Sequence, residues 1–146
     1  MDEHIYKRHN KTLLLYHLVF PVKYRLKVIN GPISGYIKDV CIEIGARYEI
    51  QFIEIGTDED HVHFLIQSIP TITVSKIVQT IKSITAREIF REHPEIKKEL
   101  WGGNFWTSGY YANTVGQYGN KDVIRKYVEN QGKEYKQKHI EQLRLW

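Results

Sequence analysis

A single cysteine, Cys41, is all the sulfur chemistry of thiols that this chain of 146 residues contains. That excludes an internal disulfide and any zinc site built on several cysteines, and it suits a reducing cytoplasm. Long apolar runs are missing as well. The most apolar stretch near the start, Leu13 to Val22, is interrupted by His17 and has about half of the ~20 residues a membrane span needs. No small-residue cleavage site follows it, so a secretory signal is not expected. The chain also lacks a Gly-x-x-x-x-Gly-Lys loop for nucleotide phosphates, an internal repeat and a low-complexity segment. With 42% hydrophobic and 26% charged residues, it reads as one domain over residues 1–146. A chain of this size buries roughly two thirds of the surface it exposes unfolded, enough for a core without covalent staples.

Charge is informative by region. Residues 1–27 carry six basic and two acidic side chains, residues 121–146 carry seven and four, and the middle holds eight against eleven. The positive excess therefore sits at the two ends. If the fold brings those ends to one side, they form a face suited to phosphate, whereas solvated basic termini need no ligand.

Periodicity gives the elements. Thr12 to Phe20 is rich in Leu, Val, Tyr and Phe and ends at Pro21, a strand buried on both faces or nearly so, and Val22 to Lys27 is a basic turn. Ile33, Tyr36, Ile37, Val40, Cys41 and Ile44 recur at three and four residues, which predicts a helix from Pro32 to Tyr48. Glu49 to Ile55 alternates as a half-buried strand, and the acidic turn Asp58-Glu59-Asp60 leads to another at His61 to Ile69. Thr71 or Thr73 caps a long helix running to about His93, and Pro94 breaks or restarts it. A glycine-punctuated aromatic loop over residues 101–109 precedes a strand at Tyr110 to Val115, and Asn120 caps a last helix. The order predicts an α+β fold, the ferredoxin-like βαββαβ antiparallel sheet with helices on one face, followed by a C-terminal helix. Its other face is expected to be open to a ligand or partner.

Within this frame, Asp60-His61-Val62-His63-Phe64-Leu65 is the hexapeptide richest in chemistry. Alternation on a strand points His61 and His63 to the same side, about 6.5 to 7 Å apart, and sends Val62 and Phe64 into the core. Two imidazoles so held supply two positions of a divalent-metal site, to be completed by a carboxamide, waters and a phosphate oxygen. The last helix carries such a carboxamide. Tyr127 and Gln131 are four residues apart and share a helical face. A tyrosine oxygen can attack a phosphodiester to form a phosphotyrosine, although a tyrosine on the apolar side of a helix also serves simply as core.

The runs Tyr16-His17-Leu18-Val19-Phe20, Val22-Lys23-Tyr24-Arg25, Asp60-His61-Val62-His63, Gly109-Tyr110-Tyr111 with Thr114-Val115-Gly116, and Tyr127-Val128-Glu129-Asn130-Gln131 follow one another in that order. Together they resemble the single-tyrosine HUH transposases of small bacterial and archaeal insertion sequences, the group that includes the REP-associated tyrosine transposases. The resemblance implies a transposase acting on single-stranded DNA with Mg²⁺ or Mn²⁺. It implies recognition of subterminal DNA hairpins, a 5′-phosphotyrosine intermediate, and a homodimer with composite active sites. On this resemblance Tyr127 is the nucleophile, His61 and His63 bind the metal, and Gln131 is the third ligand. Many relatives have Met-Pro-Asp where Asp58-Glu59-Asp60 stand here, and Trp-Cys at Val19-Phe20, differences that bear on the recognised DNA and leave the ligands and nucleophile in place.

Candidate DNA contacts are Lys23, Tyr24 and Arg25, which combine a stackable ring with cations, and Lys82 and Arg87 on the long helix. Trp101, Phe105 and Trp106 are candidates for base stacking, for a dimer interface or for the core. Gly116 and Gly119 form either a hinge before the last helix or an ordinary tight turn. Two other functions share these features: an HUH-type nickase or relaxase-like endonuclease, and a non-catalytic module binding single-stranded nucleic acid.

Overall fold

Residues 4–100 and 102–116 are described by a computed structural model of the protein. Trp101, Gly119 and the expected last helix, with Tyr127 and Gln131, lie outside the described residues. The chain opens with a small hairpin of β1 (Ile5–Lys7) and β2 (Asn10–Thr12), which pairs Ile5 with Thr12. Thr12 thus belongs to this hairpin and not to the first long strand, β3 (Leu14–Pro21).

Helix α1 (Gly31–Tyr48) begins where the Asn30 side chain accepts a hydrogen bond from the Ile33 amide at 3.0 Å, with Pro32 in its first turn. It buries Ile33, Ile37, Val40, Cys41 and Ile44, the face that the three- and four-residue spacing marks. Strands β4 (Gln51–Asp58) and β5 (His61–Ser68) form a hairpin across the acidic turn. Of the two candidate caps, Thr73 starts α2 (Val74–Glu92), its hydroxyl accepting from the Lys76 amide at 3.1 Å. Pro94 restarts the chain as α3 (Pro94–Glu99), and β6 (Tyr111–Thr114) closes the set.

The four long strands run antiparallel in the order β4-β5-β3-β6. With helices crossing over between β3 and β4 and between β5 and β6, this is the ferredoxin-like arrangement. Leu18, Phe20, Val62, Phe64 and Ile66 face the helices and pack with Ile33, Ile37, Ile77 and Ile81. Phe64 lies at the centre, its ring centroid 5.0 Å from that of Phe20 and 5.9 Å from that of Phe52. Truncating it to Ala removes a fully buried ring from a filled site, so unfolding in urea is expected to show a loss of about 3–5 kcal/mol.

The sheet's second face carries both apolar side chains and the histidines. Leu15, Val19 and Leu65 on that face are buried, as are His17 and His61. Strand β3, Leu-Leu-Tyr-His-Leu-Val-Phe-Pro, is apolar on both sides of the pleat, as suits a strand covered on both faces. Among the described residues no helix is long and apolar enough to cross a membrane.

Candidate metal centre and nucleic-acid groove

Strand register assembles the histidines. His61 begins β5 opposite Asp58 of β4 and Pro21 of β3, and His63 sits opposite Gly56 and Val19. His17, two residues from Val19 on β3, therefore falls on the same face as the pair. Its ring meets His63 edge-on with centroids 6.1 Å apart, and Tyr111 of β6 likewise at 6.0 Å.

The rings sit in different environments. His61 is 2% exposed, and its Nδ1 lies 2.8 Å from Asp60 Oδ1, while Asp58 Oδ2 stands 3.9 Å from its Nε2. Burial pushes the Asp60 carboxyl up, but the hydrogen bond to His61 and the charge of Arg25 outweigh it and hold the group below the usual carboxylate range. His17, 3% exposed, is pushed down to about 4, first by burial and then by the neighbouring His63. It is a neutral ring at neutral pH.

His63 is partly exposed and lies across Gly56. A Cβ at position 56 would fall 2.2 Å from His63 Cε1 and Nε2, so the ring occupies the space that any other residue would fill. Gly56 and His17 were not singled out by their spacing in the sequence, since only the strand register brings them to the pair. No cluster of three or more His, Cys, Asp or Glu among the described residues is arranged to hold a metal. The two imidazoles of β5 would supply two nitrogen donors to a divalent cation, the first bonded by the Asp60 carboxylate and the second seated over Gly56.

The second feature is an open groove of about 1020 Å³ between the turn after β3, helix α2 and the aromatic loop. Lys23, Tyr24, Arg25 and Lys82 line it, so four of the candidate DNA contacts come together. Arg87 is exposed and is not among the groove's residues. Phe105 and Trp106 form its buried floor, Trp106 donating from Nε1 to Thr85 Oγ1 at 2.9 Å, which makes them core residues. Tyr24 and Arg25 have φ values of 61° and 54°. Left-handed backbone at non-glycine residues costs about 1–2 kcal/mol each, and here it turns Tyr24 out to 58% exposure while Arg25 points inward.

Lys82 is partly buried at the groove's wall. Its ammonium donates to the carbonyls of Thr107 (2.9 Å) and Gly109 (2.8 Å) and sits 5.5 Å and 5.6 Å from the ring centroids of Phe20 and Tyr110. Burial lowers it from 10.5 to about 8. The unfolded chain then binds the extra proton between those values, so the penalty for the buried cation is complete below pH 8 and gone above pH 10.5. Because Lys82 is only partly buried and its ammonium is hydrogen-bonded, solvent screening discounts this to a rise of about 1 kcal/mol across the window relative to Lys82→Met, as urea unfolding of both proteins at pH 7 and pH 10 will measure.

These features acquire a family context from known proteins. The profile of the family described as "Transposase IS200 like" matches residues 10–131, from β2 through the histidine pair to Gln131. The chain belongs to the IS200-like transposases. It is 36% identical to the ISDra2 transposase TnpA of Deinococcus radiodurans over 118 residues, 81% of this chain and 84% of that protein. It is 26% identical to the transposase for insertion sequence element IS200 of Salmonella typhimurium, over 88% of this chain and 83% of that one. Among solved structures, a transposase candidate from Deinococcus radiodurans R1 superposes with a TM-score of 0.72 at 29% identity, covering 87% of this chain and 97% of its own. A REP-associated tyrosine transposase bound to a REP hairpin shares the fold, with a TM-score of 0.55 at 13% identity over 88% of this chain and 68% of its own. As an IS200-like transposase, the chain is an enzyme that cuts and rejoins DNA.

Proposed function

We propose that this transposase cuts and rejoins single-stranded DNA at the ends of an insertion sequence through a covalent 5′-phosphotyrosine on Tyr127. The Tyr127 oxygen attacks the scissile phosphorus, the bond from phosphorus to the 3′ oxygen breaks, and a bond from tyrosine oxygen to phosphorus forms. The phenol gives up its proton and the departing 3′ oxygen takes one. A second 3′-hydroxyl then attacks the phosphotyrosine and regenerates Tyr127. One phosphodiester replaces another, so no nucleotide cofactor is needed, in keeping with the absence of a nucleotide-phosphate loop from the sequence.

His61, His63 and Gln131 would hold Mg²⁺ or Mn²⁺. When bound, the cation draws charge from the phosphate oxygens and eases departure of the 3′ oxygen. The chain's own residues do the positioning. β5 fixes both imidazoles on a paired strand, Asp60 bonds the first, and Gly56 makes room for the second. The groove lined by Lys23, Tyr24 and Lys82 offers cations and a ring to single-stranded DNA. Hairpin recognition is supported by the REP-associated transposase of the same fold, which is bound to a hairpin. We take the working form to be a homodimer with composite active sites.

One observation carries this reading: a family match that runs through the histidine pair and on to Tyr127 and Gln131, over a fold whose register puts both histidines on one face of β5. The test incubates the full chain with end-labelled single-stranded DNA from the flanks of its gene, with and without Mn²⁺, on a denaturing gel. A metal-dependent adduct resistant to detergent is the expected result. Cleavage with no adduct would replace the phosphotyrosine by an activated water.

A further inference from the structure

The turn carrying Arg25 is stitched to the hairpin that presents His61. The Val22 amide donates to the Asp60 carbonyl at 2.8 Å, and the Ile29 amide to the Glu59 carbonyl at 3.0 Å. Between these two backbone bonds the left-handed step at Tyr24 and Arg25 sends the guanidinium inward, where its side chain is 14% exposed. There Arg25 Nη2 donates to Asp60 Oδ2 at 3.1 Å, and the other oxygen of the same carboxylate, Oδ1, lies 2.8 Å from His61 Nδ1. One carboxylate bridges a fixed cation and a fixed imidazole.

We propose that Asp60, anchored by Arg25, is a positioning residue that keeps the His61 proton on Nδ1 and leaves the Nε2 lone pair for a divalent cation. This rests on reading His61 as a metal ligand. A carboxylate only accepts, so the nitrogen it touches in the neutral ring is the one bearing hydrogen. The other acid near the ring, Asp58, stands 3.9 Å from Nε2, longer than a hydrogen bond, so the Asp60 contact at Nδ1 is the closer of the two. Carboxylate partners of this kind fix the tautomer and orientation of ligating histidines and raise their basicity. Arg25 supplies what Asp60 needs to do this from a buried position, a paired charge and a second hydrogen bond.

The arrangement has a consequence for the groove. Arg25 is part of its wall, so the surface proposed for DNA and the first histidine are separated by a single carboxylate. The residue assigned to DNA contact on composition alone has its guanidinium committed to the interior.

The test uses the full chain with ¹⁵N-labelled histidine, free of metal, and then titrates Mn²⁺ alone by calorimetry. In the parent protein the nitrogen shifts of His61 should report hydrogen on Nδ1 and a lone pair on Nε2. In Asp60→Ala that signature is expected to disappear and Mn²⁺ affinity to fall about 10–100-fold. Arg25→Gln keeps the carboxylate and the backbone stitching, and serves if Asp60→Ala does not fold; it should give a smaller loss in the same direction. A parent His61 protonated on Nε2, or unchanged Mn²⁺ affinity in a folded Asp60→Ala or Arg25→Gln protein, would overturn the proposal. Unchanged Mn²⁺ binding in His61→Ala would overturn the ligand reading beneath it, and the nitrogen shifts tell that failure apart from a failure of the clamp.

Discussion

Tyr127→Phe is expected to abolish the protein–DNA adduct and to lower strand cleavage at least about 10⁴-fold, the scale on which removing a nucleophile acts. Binding to flank DNA should stay within about twofold, because the substitution keeps the ring and removes one oxygen. The measurement is a denaturing gel for the adduct beside a gel-shift titration for binding. A second tyrosine makes the experiment discriminating. Tyr111 of β6 lies on the same sheet face as the histidines, its ring centroid 6.0 Å from that of His17. An adduct that survives in Tyr127→Phe and vanishes in Tyr111→Phe would assign the nucleophile to the sheet and overturn the assignment to the last helix.

Gly56→Ala is the second large effect, and it needs no change in any ligand. The new Cβ would meet His63 Cε1 and Nε2 at 2.2 Å, far inside van der Waals contact. The backbone has little freedom to retreat, since Gly56 is paired with His63 and flanked by the pairs Ile55 with Phe64 and Thr57 with Val62. The imidazole must therefore swing away. Mn²⁺ affinity by calorimetry is expected to fall about 10–100-fold, as when a ligand loses its orienting contact. Urea unfolding should show a loss of about 1–3 kcal/mol from overpacking. The double variant with His63→Ala separates the two effects. Removing the ring relieves the clash, so the double variant should be more stable than Gly56→Ala alone, a coupling that a double-mutant cycle measures directly. Equal metal affinity in Gly56→Ala and the parent would show that the ring's seat over Gly56 is not its ligating position.

The sequence made the histidine pair legible because its signal is local: residues two apart on a strand share a side whatever the tertiary structure. The helices α1 and α2 were legible for a similar reason, their buried isoleucines recurring at three and four residues, with Pro32 in the first turn of one and Thr73, one of two candidate caps, at the start of the other. The hairpin of β1 and β2 was not, because Ile5 to Thr12 alternates no apolar residues and is held by its own pairing. The contacts that His17, Gly56 and Arg25 make were not legible, for a deeper reason. Each acquires its role from register or from a contact across the fold, Arg25 reaching Asp60 over a separation of 35 residues, and no window of sequence contains both partners.

Cys41 lies on the buried face of α1 with no exposed surface, and burial pushes its thiol up to about 12. The chain's only sulfhydryl is therefore shielded and protonated at neutral pH, with almost no thiolate to react. A cysteine placed by design at an exposed position such as Ile42 would take up a maleimide dye or spin label alone, without first stripping the natural residue from the core. The protein is in this sense ready for single-site labelling, and distances between labels on two copies would report directly on whether the chain pairs with itself.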